Sequence, residues 1–331
     1  MLTGLIRFTA CIAGMTCALG LQAQAPSASS GRAYPNRPIR LIVPFPPGGS
    51  SDSVARVVVR KFSEGLGQPV VIENRPGVGG LLGSEAVAKA APDGYTLLLG
   101  SVSSLAVAPH MFANPKIDPA QNFAAIAPIM SSPLTVIARP TLPVNSIADL
   151  VALARSKPGA LNYGAAGLGT HVYLVAELFK KQAGFEAVHV PFQGGGPTMA
   201  ALLAGNIDYK FDVVNTTLPQ ARAGKVKVLA VTSAKRVALL PGVPTLAESG
   251  FPGIEATAWM GVVGPARLPA DIVSRLNSEV GKAVSSRDLN EVYVSQGAVP
   301  EVASPAAFAE MIRREYAYWG AVVKQVGAKP D

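Results

Sequence analysis

Three glycine-rich turns contain the residues best suited to chemistry in this chain. Each turn follows an apolar, strand-like run and precedes a segment with helical spacing, and the turns cover residues 46–52, 164–170 and 193–198. Glycine lets backbone N–H groups converge and lets a ligand approach the chain closely. The N-terminus of the following helix adds unpaired N–H donors and a partial positive charge. The three turns therefore predict a site for a small anion such as a carboxylate or phosphate.

The predicted ligand-binding residues are those of the turns and of the strand ends beside them. They are Phe45, Pro46, Gly48, Gly49, Ser50, Asp52, Ser101, Ser104, Gly164, Ala165, Gly167, Gly169, Thr170, Phe192, Gly194 and Asp212. Phe45 and Phe192 end strands that lead into turns, so each either packs in the core or walls the pocket. The two serines either line the same wall of the cleft or are ordinary turn residues.

Three polar side chains of this set each have a structural and a functional interpretation. Asp52, in the first turn of a helix, either caps that helix or fixes the Gly48–Gly49 loop with its N–H groups toward the cleft; its charge would repel an anion at close range. Thr170 either caps its helix or donates its hydroxyl to a carboxylate. Asp212, at a strand end, is either a structural residue with its hydrogen bonds satisfied, a hydrogen-bond acceptor for amides of a facing loop, or a partner for a ligand amine.

Motifs for enzyme chemistry are missing from the sequence. It has no G-x-S-x-G elbow and no phosphate-binding P-loop, and the run 77–82 has Leu82 where a dinucleotide fingerprint needs its third glycine. The three histidines lack the spacing of a metal site. We therefore expect no catalytic residue, no metal and no cofactor. The alternative is an exported α/β hydrolase of small esters that uses a cleft serine and Asp212, although no serine–histidine motif supports it.

The N-terminus predicts export. Arg7 precedes an apolar run from Phe8 to Leu21, and small residues follow, which is the pattern of a signal peptide over residues 1–25. Both cysteines, Cys11 and Cys17, lie inside it, so the mature chain would have none. Residues 26–37 are predicted to be a flexible leader. We expect a periplasmic protein with its signal peptide cleaved.

The overall charge favours anionic ligands but not nucleic acid. The formal net charge is +8 in 331 residues, and only 15% of the residues are charged. The basic residues are scattered, and no run of them alternates with aromatic residues, so nucleic acid is not an expected partner. A mild positive field would instead attract small anions to the cleft.

Strand and helix patterns predict two α/β units. The first alternates strand and helix from Ile39 to Gly100, which favours a largely parallel sheet covered on both faces. The pattern restarts after Pro140, and two strong helices follow at the C-terminus. We predict a two-lobed, type II-like periplasmic binding protein, with residues 38–132 and 259–331 in lobe 1 and 133–258 in lobe 2. Its ligand would lie in the cleft between the lobes, at the carboxyl ends of parallel strands.

Several segments resemble one receptor family in the expected order. They are residues 34–40, 44–52, 73–77, 91–96, 189–194 and 244–250, and the resemblance extends from about Tyr34 to the C-terminus. This set is similar to the Bug family, the periplasmic substrate-binding proteins of tripartite tricarboxylate transporters. The resemblance implies a monomeric receptor that grips a small carboxylate through backbone amides and waters and delivers it to membrane permease subunits. Ala165, Tyr173 and Phe192 depart from residues common in the family, so the resemblance does not name the ligand.

Overall fold

The computed structural model describes residues 34–112 and 117–328. The predicted signal peptide, both cysteines and residues 26–33 of the predicted leader lie outside this range. The strands are β1 (Ile39–Val43), β2 (Val70–Asn74), β3 (Thr96–Ser101), β4 (Phe123–Ala138), β5 (Asn162–Ala165), β6 (Val188–Pro191), β7 (Tyr209–Val213), β8 (Lys227–Val231), β9 (Thr257–Pro265) and β10 (Val299–Pro300). The helices are α1 (Ser50–Leu66), α2 (Leu81–Ala88), α3 (Ala108–Met111), α4 (Pro119–Asn122), α5 (Ile147–Ser156), α6 (His171–Ala183), α7 (Gly195–Leu203), α8 (Val214–Arg222), α9 (Ala270–Ser285), α10 (Arg287–Ser295) and α11 (Pro305–Val326). A 3-10 turn (Val78–Gly80) precedes α2, and a π-helical turn (Val102–Val107) follows β3.

The first half of the sheet is built as the alternating pattern predicts. Strand β1 pairs in parallel with β2 on one side and with β3 on the other. Helix α1 covers these strands with a buried stripe that includes Val54, Val58 and Phe62. It ends at Gly67, whose φ of 67° is the left-handed conformation that glycine adopts at low cost. Local spacing was therefore sufficient to predict this unit.

The parallel pairing predicted for residues 39–100 is found in β1, β2 and β3, but the middle of the sheet is antiparallel. Strand β9 pairs antiparallel with β3, and β4 pairs antiparallel with β9, β7 and β8. The strand order is β2-β1-β3-β9-β4-β7-β5-β6, with β8 and β10 also paired to β4. The reason is that β9 enters the sheet after a long excursion of the chain, not through a βαβ crossover. Among the strands of the described residues, the parallel pairs are β1–β2, β1–β3, β5–β6 and β5–β7.

Strand β4 is a single 16-residue strand that serves both halves of the sheet. From Phe123 to Pro133 it pairs with β9, and from Leu134 to Ala138 it pairs with β7 and β8. Strand β9 begins at Thr257, which is opposite Pro133. The chain therefore crosses between the halves of the sheet twice, near Pro133 and just before Thr257, and the two crossings lie side by side.

Other differences between the predicted and observed elements are local. The residue pattern of 81–91 predicts a helix that reaches Ala91, but α2 ends at Ala88. The apolar run 207–214 predicts a strand over its whole length, but β7 covers only Tyr209–Val213, because α8 begins directly at Val214. Helix α8 contains Pro219 and several β-branched residues, and such residues weaken any local helix signal. Helix α10 also has no counterpart among the predicted elements.

Within the described ranges, every helix is too short or too polar to cross a membrane.

Candidate functional site

The three glycine-rich turns lie where parallel strands end and helices begin. The first joins β1 to α1, the second joins β5 to α6, and the third joins β6 to α7. The first N–H groups of each helix lack intrahelical partners and carry the positive end of the helix dipole. The structure therefore confirms that each predicted turn leads into a helix N-terminus.

The turns from the two halves of the sheet pack against each other. A Cβ added at Gly194 would lie 3.1 Å from Pro46 Cδ, and one added at Gly49 would lie 3.9 Å from the Gly195 amide nitrogen. A Cβ at Gly79 would lie only 2.8 Å from the Gly169 carbonyl oxygen. Glycine at position 79 is thus required by the close approach of the Gly169 backbone, whereas at Gly194 the ring of Pro46 leaves little room for a side chain.

A cavity of about 90 Å³ lies between the first and second turns, β7 and β9. This space holds several waters or a small organic molecule. Seven predicted ligand residues line it: Phe45, Pro46, Gly49, Ser50, Ser101, Thr170 and Asp212. The other lining residues are Ser51, Val102, Ser103, Ala166, His171, Val172, Gly195, Lys210, Phe211, Val213, Thr216, Ala258, Trp259 and Met260. Most of the wall is apolar, so its few polar groups decide how a ligand is oriented.

The remaining predicted ligand residues lie elsewhere. Gly167, Phe192 and Gly194 line a second, more open cleft that also borders Phe45 and Pro46. Six others line neither space: Gly48, Asp52, Ser104, Gly164, Ala165 and Gly169. Gly164 is enclosed by protein, because an added Cβ would lie 2.5 Å from Ile207 and 2.7 Å from Thr198.

Asp52 fixes the first turn through hydrogen bonds. Its Oδ2 accepts from the Gly48 N–H at 3.1 Å and from Arg56 Nε at 2.8 Å, while Asn74 donates to Oδ1 at 3.2 Å. Burial opposes its ionisation, but the donors from Arg56, Gly48 and Asn74 outweigh burial and hold the pKa of the carboxyl below its usual value. The Gly48 N–H is therefore occupied by Asp52. It does not face the cleft, and this corrects the expectation for that one amide.

Ser101, Ser104 and Thr170 direct their hydroxyls to protein groups. Ser101 caps the π-helical turn, since its Oγ accepts from the Ser104 N–H at 3.3 Å and Ser104 Oγ accepts from the Ser101 N–H at 3.1 Å. Thr170 occupies the N-cap position of α6, yet its side chain accepts no hydrogen bond from a helix amide, and its hydroxyl donates to the Gly167 carbonyl at 2.7 Å. Thr170 thus closes the second turn on itself.

His171 lines the cavity, although it is not among the ligand-binding residues predicted from the sequence. Its side chain is fully buried, and both ring nitrogens lack a hydrogen-bond partner among the described residues. Burial lowers the pKa of the imidazole to about 3, so the ring is neutral near pH 7. Its backbone N–H donates to Ser103 Oγ at 3.0 Å, which links the second turn to the end of β3.

Lys210 is the functional candidate that sequence reasoning missed. It lies on β7 two residues before Asp212, and its ammonium is 3.2 Å from Asp212 Oδ2. Alternate residues of a strand share a face, so the motif Lys-Phe-Asp carried a usable signal: two opposite charges on one face of an otherwise apolar strand. Both side chains are buried and line the cavity.

Trp259 separates the cavity from an outer groove. The residue lines both spaces. Its indole N–H donates to Glu315 Oε2 at 3.3 Å, and the indole of Trp319 donates to the same oxygen at 3.0 Å. Trp319 in turn packs edge-on against His171, with ring centroids 4.4 Å apart. A chain of contacts thus joins the cavity wall to α11.

The arrangement has the features of a binding site. Throughout residues 34–112 and 117–328, no cluster of three or more His, Cys, Asp or Glu side chains is placed to hold a metal. The His171 imidazole makes no hydrogen bond there, so it does not activate a cavity serine as a triad would. The cavity is lined by helix N-termini, one pair of opposite charges and an apolar wall.

Comparison with known proteins gives the family. Residues 54–328 match the model of the tripartite tricarboxylate transporter family receptors. The chain is 36% identical over 301 residues to protein BugT of Bordetella pertussis, covering 91% of this chain and 92% of that one. It is also similar to the structure of the periplasmic binding protein BugD, with a TM-score of 0.86, 33% identity and coverage of 90% of this chain and 100% of that one. A Rhodopseudomonas structure, "R. palustris Rpa4515 with adipate", matches with a TM-score of 0.86, 35% identity and the same coverage.

These matches span both halves of the sheet and confirm the two-lobed α/β fold that the sequence predicted. The proteins matched are solute receptors, and none supports the hydrolase alternative. The chain belongs to the tripartite tricarboxylate transporter family of periplasmic receptors and is a solute-binding protein, not an enzyme.

Proposed function

We propose that this protein captures a small carboxylate in the cavity between its lobes and delivers it to the permease subunits of a tripartite tricarboxylate-type transporter or to a sensor. The observation that supports this most directly is the placement of helix N-termini. Helices α1, α6 and α7 begin within or beside one cavity, and each is preceded by a glycine-rich turn. Such ends stabilise a bound anion without a charged side chain.

The free amides available to an anion can be named. In α1, the amides beyond Gly48 are the candidates, because the Gly48 N–H is taken by Asp52. In α6, the His171 N–H is taken by Ser103, so the next amide of the helix, at Val172, is the candidate donor; Val172 also lines the cavity. In α7, Gly195 is the helix residue that lines the cavity. The adipate-bound relative supports a carboxylate as the anion in this family.

The lobe boundaries follow from the two crossings of the chain. We place lobe 1 at residues 38–132 and 259–331 and lobe 2 at 133–258, with the signal peptide at residues 1–25 removed on export. The change of pairing partner at Pro133 and the start of β9 at Thr257 support these boundaries. In this proposal the receptor acts as a monomer.

A thermal-shift screen of the mature protein against small organic acids tests the proposal. A ligand at 100 times its Kd should add about 2.7 kcal/mol to the free energy of unfolding. The primary amide of each acid is the matched control, since it has the same skeleton without the charge. Stabilisation by an acid and not by its amide supports the proposal. Equal stabilisation by an acid and its amide contradicts the proposal, and so does a lack of stabilisation by every acid in the set. Turnover of the methyl esters would restore the hydrolase alternative.

A further inference from the structure

A buried pair of opposite charges lies in the wall of the cavity. Lys210 is 1% exposed and Asp212 is 5% exposed, and Lys210 Nζ is 3.2 Å from Asp212 Oδ2. Both side chains face the cavity from the same side of β7. A lysine is almost never buried to this degree unless it is paired, because removing an ammonium from water is costly.

The pair does not satisfy itself. The contact between Lys210 and Asp212 Oδ2 lacks hydrogen-bond geometry, and this oxygen accepts no hydrogen bond within the described part of the chain. An ammonium has three donors, yet the only hydrogen bond of Lys210 Nζ there is a long one of 3.5 Å to the Gly195 carbonyl. A buried charge with unfilled hydrogen-bonding capacity is expensive. A ligand that satisfies both side chains therefore needs a hydrogen-bond acceptor for Lys210 Nζ and a hydrogen-bond donor for Asp212 Oδ2.

The location of the pair indicates which part of a ligand it meets. Lys210 approaches Gly195, the first residue of α7. The Gly195 amide nitrogen is 3.9 Å from the position of a Cβ added at Gly49, at the start of α1. The ammonium thus stands beside the helix N-termini that the proposed function assigns to a carboxylate. Asp212 Oδ2, next to the ammonium, then meets whatever group is bonded next to that carboxylate.

We propose that Lys210 and Asp212 read the ligand as a pair, and that the receptor selects acids with a hydrogen-bond donor on the carbon adjacent to the carboxylate. The ammonium of Lys210 binds the carboxylate, and Asp212 Oδ2 accepts the hydrogen bond of a 2-hydroxy or 2-amino group. This inference rests on the proposed function and specifies its ligand class. An unsubstituted acid would satisfy the ammonium of Lys210 but leave Asp212 Oδ2 buried without a hydrogen-bond donor, and a site of this kind rejects an analogue that lacks the matching polar group.

Two trios of acids with matched skeletons test this directly on the mature protein by isothermal titration calorimetry. One trio is succinate, malate and aspartate; the other is 4-methylpentanoate, 2-hydroxy-4-methylpentanoate and leucine. We expect the donor-bearing members of whichever trio fits the cavity to bind at least about tenfold more tightly than the unsubstituted acid, as for a hydrogen bond to a charged group. The hydroxy and amino members then distinguish a neutral from a cationic donor.

Variants test whether Lys210 and Asp212 cause the preference for donor-bearing acids. Asp212→Asn should erase most of the preference for the donor-bearing acid, and Lys210→Met should weaken every acid. The double variant Lys210→Met/Asp212→Leu removes both charges and leaves none unpaired, so it should fold, bind weakly and show no preference. Lys227→Met is the matched control, because Lys227 bonds to the Leu142 and Val144 carbonyls and does not line the cavity.

The outcomes separate this inference from the proposed function. Binding of carboxylates with no preference for a donor overturns the inference and leaves the proposed function intact. A preference that persists in the double variant also overturns it, since water or other groups would then fill the site. If no carboxylate of any kind binds, the proposed function fails as well. The wild-type comparison decides the matter even where a single variant does not fold.

Discussion

The Gly48 N–H donates to Asp52 Oδ2 over 3.1 Å, so a side chain of α1 holds the turn that leads into it. The same carboxylate accepts from Arg56 and Asn74. Gly48 has a φ of 80°, a conformation that other residues rarely adopt, while Gly49 has an ordinary φ of −89°. The backbone conformation at position 48 therefore favours glycine, whereas the one at position 49 does not. This difference can be measured.

The first prediction compares single methyl groups added to the turns. Gly48→Ala and Gly167→Ala should each lower the free energy of unfolding by about 1 kcal/mol or more, because their φ values of 80° and 109° are strained for alanine. Gly49→Ala is the matched control, since the nearest atom to its Cβ would be 3.8 Å away. Ser50→Ala should cost about 0.5–1.5 kcal/mol, the net contribution of one hydrogen bond. Urea denaturation measures all four.

Binding by variants of the same turns tests the amide cradle, the hypothesis that backbone N–H groups of the turns, and not side chains, hold the anion. The sequence predicts that Gly49→Val harms binding more than Ser50→Ala. Because Gly49 has no backbone strain, any harm at this position reports contact with the ligand or the facing turn. If Ser50→Ala or Asp52→Asn abolishes binding while the glycine variants bind normally, side chains carry recognition and the amide cradle is wrong.

The second prediction concerns pH and His171. Burial lowers the pKa of His171 to about 3 in the folded protein, against about 6.5 when unfolded. The unfolded state therefore binds more protons between these values, so stability falls as pH falls below about 6.5. At about 1.36 kcal/mol per unit, His171 alone should remove roughly 2 kcal/mol of unfolding free energy between pH 7 and pH 5.

The variant His171→Phe isolates this effect. Its difference in stability between pH 7 and pH 5 should be smaller than that of the wild type by roughly the same 2 kcal/mol. The two other histidines and all carboxylates are present in both proteins, so their contributions cancel in the comparison. Identical pH dependence in the two proteins would mean that His171 is protonated or solvated in the folded state.

Local signals predicted the turns and not the charge pair, for physical reasons. A glycine run before a helix is specified by a few neighbouring residues, and all three turns and their helices are found where the sequence places them. The Lys210–Asp212 pair needs the strand face that points into the cavity, and this depends on β7 lying between β4 and β5. The sequence identified Asp212 without its partner. The antiparallel middle of the sheet was missed because pairing between β3, β9 and β4 joins segments distant in sequence.

The third prediction uses the two tryptophans of the sequence as reporters. Trp259 lines the cavity, whereas Trp319 does not line it and packs against the lining residue His171. Ligand binding should change the fluorescence of Trp259 directly, because ligand atoms replace water against its ring. The change should be largely lost in Trp259→Phe and kept in Trp319→Phe. The opposite pattern would place the ligand away from β9.

The fourth prediction concerns export. Processing within residues 21–26 should remove both Cys11 and Cys17. Mass spectrometry of the periplasmic protein should give a mature N-terminus in this range and no reaction with a maleimide probe. A cytoplasmically expressed chain that begins at Met1 is the control, since it should react with the probe when denatured. A periplasmic form that still reacts would show that the signal peptide is retained.

The fifth prediction is that ligand binding closes the lobes about the strands near residues 128–136 and 256–264. These segments contain the two crossings of the chain, where β4 changes partners and β9 begins. Among the described residues, two hydrogen bonds made by cavity-lining residues join the lobes, from Ser50 Oγ to Asn215 Oδ1 at 2.9 Å and from the His171 N–H to Ser103 Oγ at 3.0 Å. Because the hydrogen bonds of Ser50 and Ser103 are both formed in this structure, we expect it to resemble the closed state. Small-angle scattering should show a smaller radius of gyration with ligand than without it.

A double variant tests the same closure without relying on ligand alone. Ser50→Ala/Ser103→Ala removes the serine partner of each hydrogen bond across the cleft, so the unliganded protein should be at least as expanded as the wild type and should need more ligand to compact. Ser156→Ala/Ser295→Ala is the matched control, because each of these serines donates to a carbonyl three residues earlier, in its own helix and away from the cleft. An unchanged radius of gyration at saturating ligand in wild-type protein would show a rigid site, with lobes that do not move on binding.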